Sequence, residues 1–226
     1  MIELIRLRKE YDDLIAVQDL TLSIPQGEIF GLIGPNGAGK TTTIRIACGL
    51  LAPTVGQALI NGVDVAHEPE KAQRSIGYLS DFFAVYEDLK VWEYLDYFAH
   101  AYKVANAEIP DRITEVIAQV SLDLKRNAMI RGLSRGMKQR LGIARAIIHR
   151  PKVLLLDEPA SGLDPKARLE LRCGEEVEIL ADAPVEAGCV VVQREPEELQ
   201  QRCDEECQEE QRQRRCQSQP VGRHVA

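Results

Sequence analysis

The stretch GPNGAGKT, from Gly34 to Thr41, determines how the rest of this 226-residue chain is interpreted. It fits the pattern G-x-x-x-x-G-K-[ST], and it stands between the apolar run EIFGLIG, which predicts a strand, and KTTTIRIACGLL, which predicts a helix. Glycines allow backbone N–H groups to turn inward around phosphate oxygens, and the helix N-terminus adds the positive end of its dipole. The sequence therefore predicts a phosphate-binding loop.

Two side chains at the end of this loop have predicted chemical roles. We expect Lys40 to reach the β- and γ-phosphates of a nucleotide and the Thr41 hydroxyl to ligate Mg²⁺. The alternative, a chance glycine-rich loop, does not account for all four fixed positions standing between a strand and a helix. The predicted nucleotide-binding residues of this segment are Gly34, Pro35, Asn36, Gly37, Ala38, Gly39, Lys40, Thr41 and Thr42.

A second stretch, VLLLDE from Val153 to Glu158, ends an apolar strand with two carboxylates. We predict that Asp157 holds the magnesium ion and that Glu158 polarises the attacking water, as phosphoryl transfer requires. An apolar strand that ends in Asp-Glu is by itself usually no more than a strand end. Together with the phosphate-binding loop, it predicts a catalytic carboxylate pair.

The rest of the body alternates strands with helices. Two strands are expected before Pro25, and QALINGVDV predicts a strand pair that turns at Asn61-Gly62. The pattern is helical from Lys90 to about Val120, with Pro110 in the connecting loop, and a further helix follows Ser134 as its N-cap. This order predicts an α/β fold with a helical insertion in its middle.

The stretch LSRGMKQR, residues 133 to 140, points to one family. It resembles the signature of the nucleotide-binding subunits of ABC transporters, which has the form Leu-Ser-Gly-Gly-Gln. The chain keeps Leu133, Ser134 and Gly136 and departs from the signature at its third and fifth positions. A plain N-capped helix would explain Ser134, but not its 23-residue spacing to Asp157.

The resemblance runs from about residue 2 to residue 172 and implies further site residues. Ser134 and the N–H groups of the next turn would bind the γ-phosphate of ATP held by a second subunit. Asp164, in PASGLDP, would lie at the subunit junction. Tyr11 would stack on adenine, although a lone Tyr in a strand is more often a packing residue. Asp81 stands where the family carries a glutamine that touches magnesium, and an Asp can still ligate Mg²⁺.

The same resemblance implies a fold and a set of partners. The fold would be a P-loop NTPase core of ABC type, with an N-terminal antiparallel β subdomain and a helical insertion, about residues 88–148, that carries the signature. Its cofactors would be ATP and Mg²⁺. Its partners would be a second ATP-binding subunit, in a homodimer or heterodimer, and a separate membrane-spanning permease subunit.

An apolar cluster next to Asp81 has two interpretations. It consists of Phe82, Phe83, Val85 and Tyr86. Core packing is one interpretation; the other, which the resemblance implies, is a groove for a helix of the membrane partner. The Asp at this place and the Arg-Gly-Met signature look most like the subgroup that serves multidrug, polyketide or sodium export.

Composition excludes several classes of protein. A net charge of −7 and a pI of about 5.3 argue against nucleic acid as a partner, because an acidic surface gains nothing from counterion release. No apolar run approaches the roughly 18–20 residues that cross a bilayer, and the N-terminus lacks an apolar signal core. We expect a cytoplasmic protein, peripheral on the cytoplasmic face of the membrane.

The chain changes character after Arg172. Residues 173–226 contain 6 basic and 13 acidic residues, so residues 1–172 contain 28 − 6 = 22 basic and 35 − 13 = 22 acidic ones. Five of the six cysteines also fall in this last part. We expect residues 1–172 to form the ATP-binding domain and residues 173–226 to be an atypical tail, which is either a divergent natural end or the product of out-of-frame reading.

The family also places a histidine that contacts the γ-phosphate after a strand near CVVVQREPEEL, residues 189–199. Val190–Val192 would be that strand, but the next residues include no histidine. Three functions therefore stay open. The chain is an ATP-hydrolysing subunit that drives export, a cassette that binds ATP but hardly hydrolyses it, or a soluble ABC-type ATPase acting on ribosomes or DNA. The last would need a basic face or a second cassette.

Overall fold

The computed structural model of the chain describes residues 1–80, 84–157 and 188–192, the last of these and Ile29 by backbone alone. All of them fall within one unit of the chain, residues 1–193. In chain order the elements are β1 (Ile2–Tyr11), β2 (Leu14–Ile24), β3 (Ile29–Leu32), α1 (Lys40–Ala47), β4 (Val55–Ile60), β5 (Val63–Asp64), α2 (Pro69–Gln73), β6 (Ile76–Leu79), α3 (Val91–Ala101), α4 (Ile109–Gln119), α5 (Arg135–Ile147), β7 (Val153–Leu156) and β8 (Gly188–Val192).

The first sheet is antiparallel and has the order β2-β1-β4-β5. Its inward side chains, such as Ile2 and Leu4, are buried against α1 and β7. The predicted turn at Asn61-Gly62 is confirmed, and both residues have positive φ, 49° and 76°. A two-residue hairpin turn of this kind requires positive φ at both positions, which Asn and Gly accept at little cost. This sheet is the predicted N-terminal β subdomain.

The second sheet has the order β3-β8-β7-β6. Strands β6 and β7 are parallel, as an α/β fold requires, and β7 is buried along its whole length. Val153 and Leu155 pack in the cluster under the first sheet, whereas Leu154 and Leu156 pack in the cluster formed with α3, α4 and α5. Because both of its faces are covered, β7 is a continuous apolar run rather than an alternating one.

The strand expected near Val190–Val192 is present as β8, and it is antiparallel to both of its neighbours. Leu32 is paired with Gly188, and Val153 is paired with Val192. The amino end of β8 therefore lies beside the carboxyl ends of β3 and β7, and its carboxyl end lies at the opposite edge of the sheet. This direction bears on the chemistry of the site.

The helical insertion contains α3, α4 and α5, which share one buried apolar cluster with β7. The expected position of Pro110 in the connecting loop was wrong, since Pro110 is the second residue of α4. A proline is tolerated there because the N–H groups of the first helical turn have no partner within the helix. Within residues 1–80 and 84–157, no helix is long and apolar enough to span a membrane.

Candidate functional site

The loop from Gly34 to Gly39 is shaped by two glycines with left-handed backbones. Gly37 has φ of 80° and Gly39 has φ of 83°, and α1 begins at the next residue. A Cβ on Gly39 would lie 2.3 Å from the carbonyl oxygen of Ala16 in β2, so only glycine allows this approach. The first sheet therefore packs directly on the turn that leads into α1.

The ammonium group of Lys40 is held inside the loop. Its Nζ donates to the carbonyl oxygens of Gly34, at 2.5 Å, and Pro35, at 3.1 Å, and the residue is only 6% exposed. Carbonyl dipoles offset only part of the free energy of burying a cation, so an added anion is favoured at this position. The predicted phosphate-binding lysine is thus buried, and the two loop carbonyls orient its ammonium group.

The predicted magnesium ligands are brought together across 116 residues of sequence. The Thr41 hydroxyl donates to Oδ1 of Asp157 at 3.0 Å. Neighbouring ligands of an octahedral Mg²⁺, each about 2.1 Å from the ion, lie about 3.0 Å apart. A hydroxyl and a carboxylate are both hard oxygen donors, so this pair fits magnesium in spacing and in chemistry.

The negative charge of Asp157 contributes to the pKa shifts of two neighbouring side chains. Asp157 is only 3% exposed at the end of β7. Burial raises the pKa of the Cys48 thiol well above its usual value, and the Asp157 carboxylate adds to this shift. Burial likewise raises the pKa of Tyr78, with Cys48 and Asp157 contributing. A buried carboxylate whose field reaches two neighbours favours a nearby cation.

Tyr11 lies at the end of β1, where it is paired with Leu14 across the hairpin. Its ring is 42% exposed, and the Lys9 ammonium lies 5.1 Å from the ring centroid. Leu14 is two strand residues, about 7 Å, from Ala16, whose carbonyl borders the phosphate-binding loop. The position is compatible with the predicted contact to a base, and the exposure disfavours a role in core packing alone.

The signature turn begins α5, and its predicted N-cap is confirmed. Ser134 Oγ accepts a hydrogen bond from the backbone N–H of Met137 at 3.3 Å. Ser134 is exposed, Gly136 is half-buried in the first helical turn, and that turn contains no acidic residue. Within the described part of the chain, the hydrogen bonds of Ser134 stay inside α5, so it does not contact the loop at Lys40.

The structure describes only some of the remaining predicted residues. Asn36 and Ala38 are exposed in the loop, and Thr42 is half-buried in the first turn of α1. Asp81, Phe82, Phe83, Glu158 and Asp164 lie outside the described residues.

Sequence reasoning missed two groups of contacts. The first is the pair of loop carbonyls that hold Lys40, which only the folded loop brings within reach. The second joins β6 to α5 and to the turn after it. Arg145 of α5 donates to the carbonyl oxygen of Tyr78, and His149 contacts the carbonyl oxygen of Ile76, each more than sixty residues away in sequence. The only local sign of the second group was two basic side chains, four residues apart, in the otherwise apolar stretch GIARAIIH.

The comparisons with known proteins agree with this geometry. The family profile described as "ABC transporter" matches residues 17–161. The chain is 39% identical over 168 residues to a protein named Nod factor export ATP-binding protein I from Cupriavidus pinatubonensis, a match that covers 74% of this chain and 52% of that protein. It is also 39% identical over 170 residues to the probable multidrug ABC transporter ATP-binding protein YbhF of Escherichia coli, covering 75% of this chain and 29% of the relative.

A solved structure is similar in fold. The dimeric, post-hydrolysis state of the ATP-binding cassette MJ0796 bound to ADP and Pi matches with a TM-score of 0.68 and 27% identity, covering 77% of this chain and 83% of that one. The chain spans about half of the first curated relative and less than a third of the second.

Proposed function

This chain belongs to the ABC transporter family, and on that premise we propose that it is an ATP-binding subunit that couples ATP to export through a separate membrane subunit. One observation carries the proposal: the Thr41 hydroxyl lies 3.0 Å from the buried Asp157 carboxylate, and Thr41 is in the first turn of the helix that begins with the buried Lys40. A cation site next to a buried ammonium suits the β- and γ-phosphates of ATP with Mg²⁺.

The division of labour follows from these groups. Lys40 would neutralise phosphate charge, and Thr41 with Asp157 would hold the Mg²⁺. When bound, the metal supplies charge stabilisation to the transferring phosphoryl group. Glu158, which follows Asp157 directly, is proposed to polarise the attacking water.

Two copies of the chain, or this chain and a related subunit, are proposed to share each ATP. Among the described residues no hydrogen bond joins the exposed Ser134 turn to the loop at Lys40, and the N-terminus of α5 is suited to phosphate. The similar cassette MJ0796 has been solved as a dimer. A second subunit would bring a Ser134 turn to each nucleotide, with Asp164 at the junction.

The proposed direction of transport is export, because the relatives are named for Nod factor export and multidrug transport.

The membrane subunit is proposed to dock on the segment around Phe82, Phe83 and Tyr86. Tyr86 is 56% exposed and contacts the ring of Tyr97 edge-on, with 5.9 Å between centroids. Replacing Phe82 and Phe83 by Ser should leave ATP binding intact while uncoupling it from transport. If the double variant unfolds, these residues belong to the core.

A second candidate function is a cassette that binds ATP but hydrolyses it poorly. The direction of β8 favours it. The carboxyl end of β8 lies four strand residues, about 13 Å, from the edge that holds Asp157. No histidine follows Val192 until His224, so the sequence after β8 does not supply the histidine that would contact the γ-phosphate. Loss of one such donor typically lowers the rate by about 10²–10³.

Steady-state ATPase measurements on the purified chain distinguish the two functions. The impaired cassette predicts slow turnover and little further loss in Glu158→Gln, because the slow step is already compromised. Turnover on the order of 1–10 s⁻¹ together with a large drop in Glu158→Gln would support a full ATPase and reject the impaired cassette.

The expected boundary at residue 172 is not kept, because β8 (Gly188–Val192) lies between β3 and β7 in the second sheet. We propose instead that only the residues after Gln193 are not part of the ATP-binding domain. Their composition, rich in Gln, Glu, Arg and Cys and free of Lys and aromatic residues, is unlike a strand-helix ending. Translating the nucleotide sequence around codon 172 in all three frames tests this idea. A strand followed by His in another frame would support out-of-frame reading, and its absence would favour a divergent natural tail.

A further inference from the structure

The edge strand β6 presents two backbone carbonyls away from the sheet. The carbonyls of Ser75 and Leu79 accept from the backbone N–H groups of Val153 and Asp157 in and after β7. Because carbonyls alternate along a strand, those of Ile76 and Tyr78 point the other way. They meet a side chain of α5 and one from the turn after it: Arg145 donates to the Tyr78 oxygen at 3.3 Å, and His149, two residues past the end of α5, contacts the Ile76 oxygen through Nε2 at 3.0 Å.

The α5 helix and β6 also approach each other closely between these two contacts. A Cβ on Gly77 would lie 2.3 Å from the carbonyl oxygen of Ala146, so the glycine permits backbone contact. The successive residues Ile76, Gly77 and Tyr78 of β6 thus contact the last turn of α5 or the turn that follows it.

Arg145 differs from His149 because it also contacts α3. Its guanidinium lies 5.3 Å from the centroid of the Phe98 ring. Burial raises the pKa values of Tyr94 and Tyr102, and the charge of Arg145 opposes both shifts. Only a planar guanidinium can stack on a ring and donate sideways to a carbonyl at the same time.

Three functional segments meet at this guanidinium. Helix α5 starts at the Ser134 turn, β6 ends beside Asp157, and α3 carries the exposed ring of Tyr97 and the partly buried ring of Phe98. We propose that Arg145 is a positioning residue that fixes α3 and α5 relative to the phosphate edge, so that ATP·Mg²⁺ at Lys40 changes the surroundings of α3. This inference rests on the proposed function.

The test uses Trp92, the single tryptophan of the chain, which is half-buried in the first turn of α3. ATP·Mg²⁺ is titrated into the full-length chain and its variants. Binding is measured by calorimetry and the response of α3 by Trp92 emission. Arg145→Met removes both contacts, Arg145→Lys keeps the charge without the planar group, and Arg150→Met is the control, because Arg150 is exposed and pairs with Glu115.

We expect ATP·Mg²⁺ to change Trp92 emission in the unmodified chain and in Arg150→Met. Arg145→Met should lose most of that change while its ATP affinity stays within about threefold of the original, less than 1 kcal/mol. Arg145→Lys should keep part of the change, and it is the decisive variant if Arg145→Met does not fold.

Two results overturn the inference while leaving the proposed function standing. One is a chain that binds ATP·Mg²⁺ with no change in Trp92 emission, and the other is a full emission change in both Arg145 variants. Failure of the unmodified chain to bind ATP·Mg²⁺ in the calorimeter would instead reject the proposed function, and the inference with it.

Discussion

Replacing Gly39 by Ala tests whether the phosphate-binding loop is packed against the first sheet as described. Two costs add at this position. A left-handed backbone, φ 83°, costs an L-residue roughly 1–2 kcal/mol. The new Cβ would also lie 2.3 Å from the Ala16 carbonyl oxygen, so the backbone must shift, at a further cost of about 1–3 kcal/mol. We expect Gly39→Ala to lower the free energy of unfolding by about 2–5 kcal/mol.

Gly37→Ala is the matched control in the same loop. Gly37 has nearly the same φ, 80°, but no atom lies within 4 Å of a Cβ built on it. Gly37→Ala should therefore lower the free energy of unfolding only by the cost of the left-handed backbone, about 1–2 kcal/mol. Urea unfolding without nucleotide measures both variants, with the shift of the midpoint at unchanged slope as the readout. Equal midpoints for Gly37→Ala and Gly39→Ala would refute the packing of Ala16 on the loop.

Two further predictions concern His149 and Asp157. Burial lowers the pKa of His149 from 6.5 to about 4, and the Arg112 charge acts in the same direction. Between pH 6.5 and 4 the unfolded chain therefore binds a proton that the folded chain does not. The free energy of unfolding should decrease as the pH is lowered through this range, and at pH 4 it should be about 3 kcal/mol below its value at neutral pH. In His149→Gln this loss should disappear from the denaturation profile; profiles that stay parallel would contradict the burial. Asp157→Asn should raise the Mg²⁺ concentration that half-saturates ATP binding at least about tenfold, since it removes the anionic ligand. The exposed Asp88→Asn is the control, and an unchanged Mg²⁺ requirement in Asp157→Asn would remove Asp157 from the metal site.

The parts of the fold that sequence predicted are those specified locally. The Gly37 and Gly39 turn, the Asn61-Gly62 hairpin and the Ser134 N-cap each depend on a few adjacent residues whose backbone preferences are known. The pairing of Thr41 with Asp157 was also predictable, because Asp157 follows the carboxyl end of β7 and Thr41 is in the first turn of the helix after the loop that leaves β3, and such ends meet at one edge of a sheet.

Other features depend on long-range packing and were not predictable. The direction of β8 is not encoded in a run such as VVV, which has the same alternation in either direction. The contacts of Arg145 and His149 with β6 arise only after α5 packs on the sheet edge. Pro110 was misplaced because a proline fits equally well in a loop and in a first helical turn.

The most direct test of ATP·Mg²⁺ binding at this edge is a calorimetric titration of the full-length chain and of Lys40→Ala. Lys40→Ala removes the buried cation that is already oriented by the Gly34 and Pro35 carbonyls. Loss of charge-assisted bonds to two phosphates should weaken binding at least about a hundredfold, near 3 kcal/mol. Lys71→Ala is the control, because Lys71 is exposed and pairs with Glu68. We expect tight binding by the unmodified chain and by Lys71→Ala and its loss in Lys40→Ala. Equal affinity in all three proteins would show that Lys40 does not bind the nucleotide.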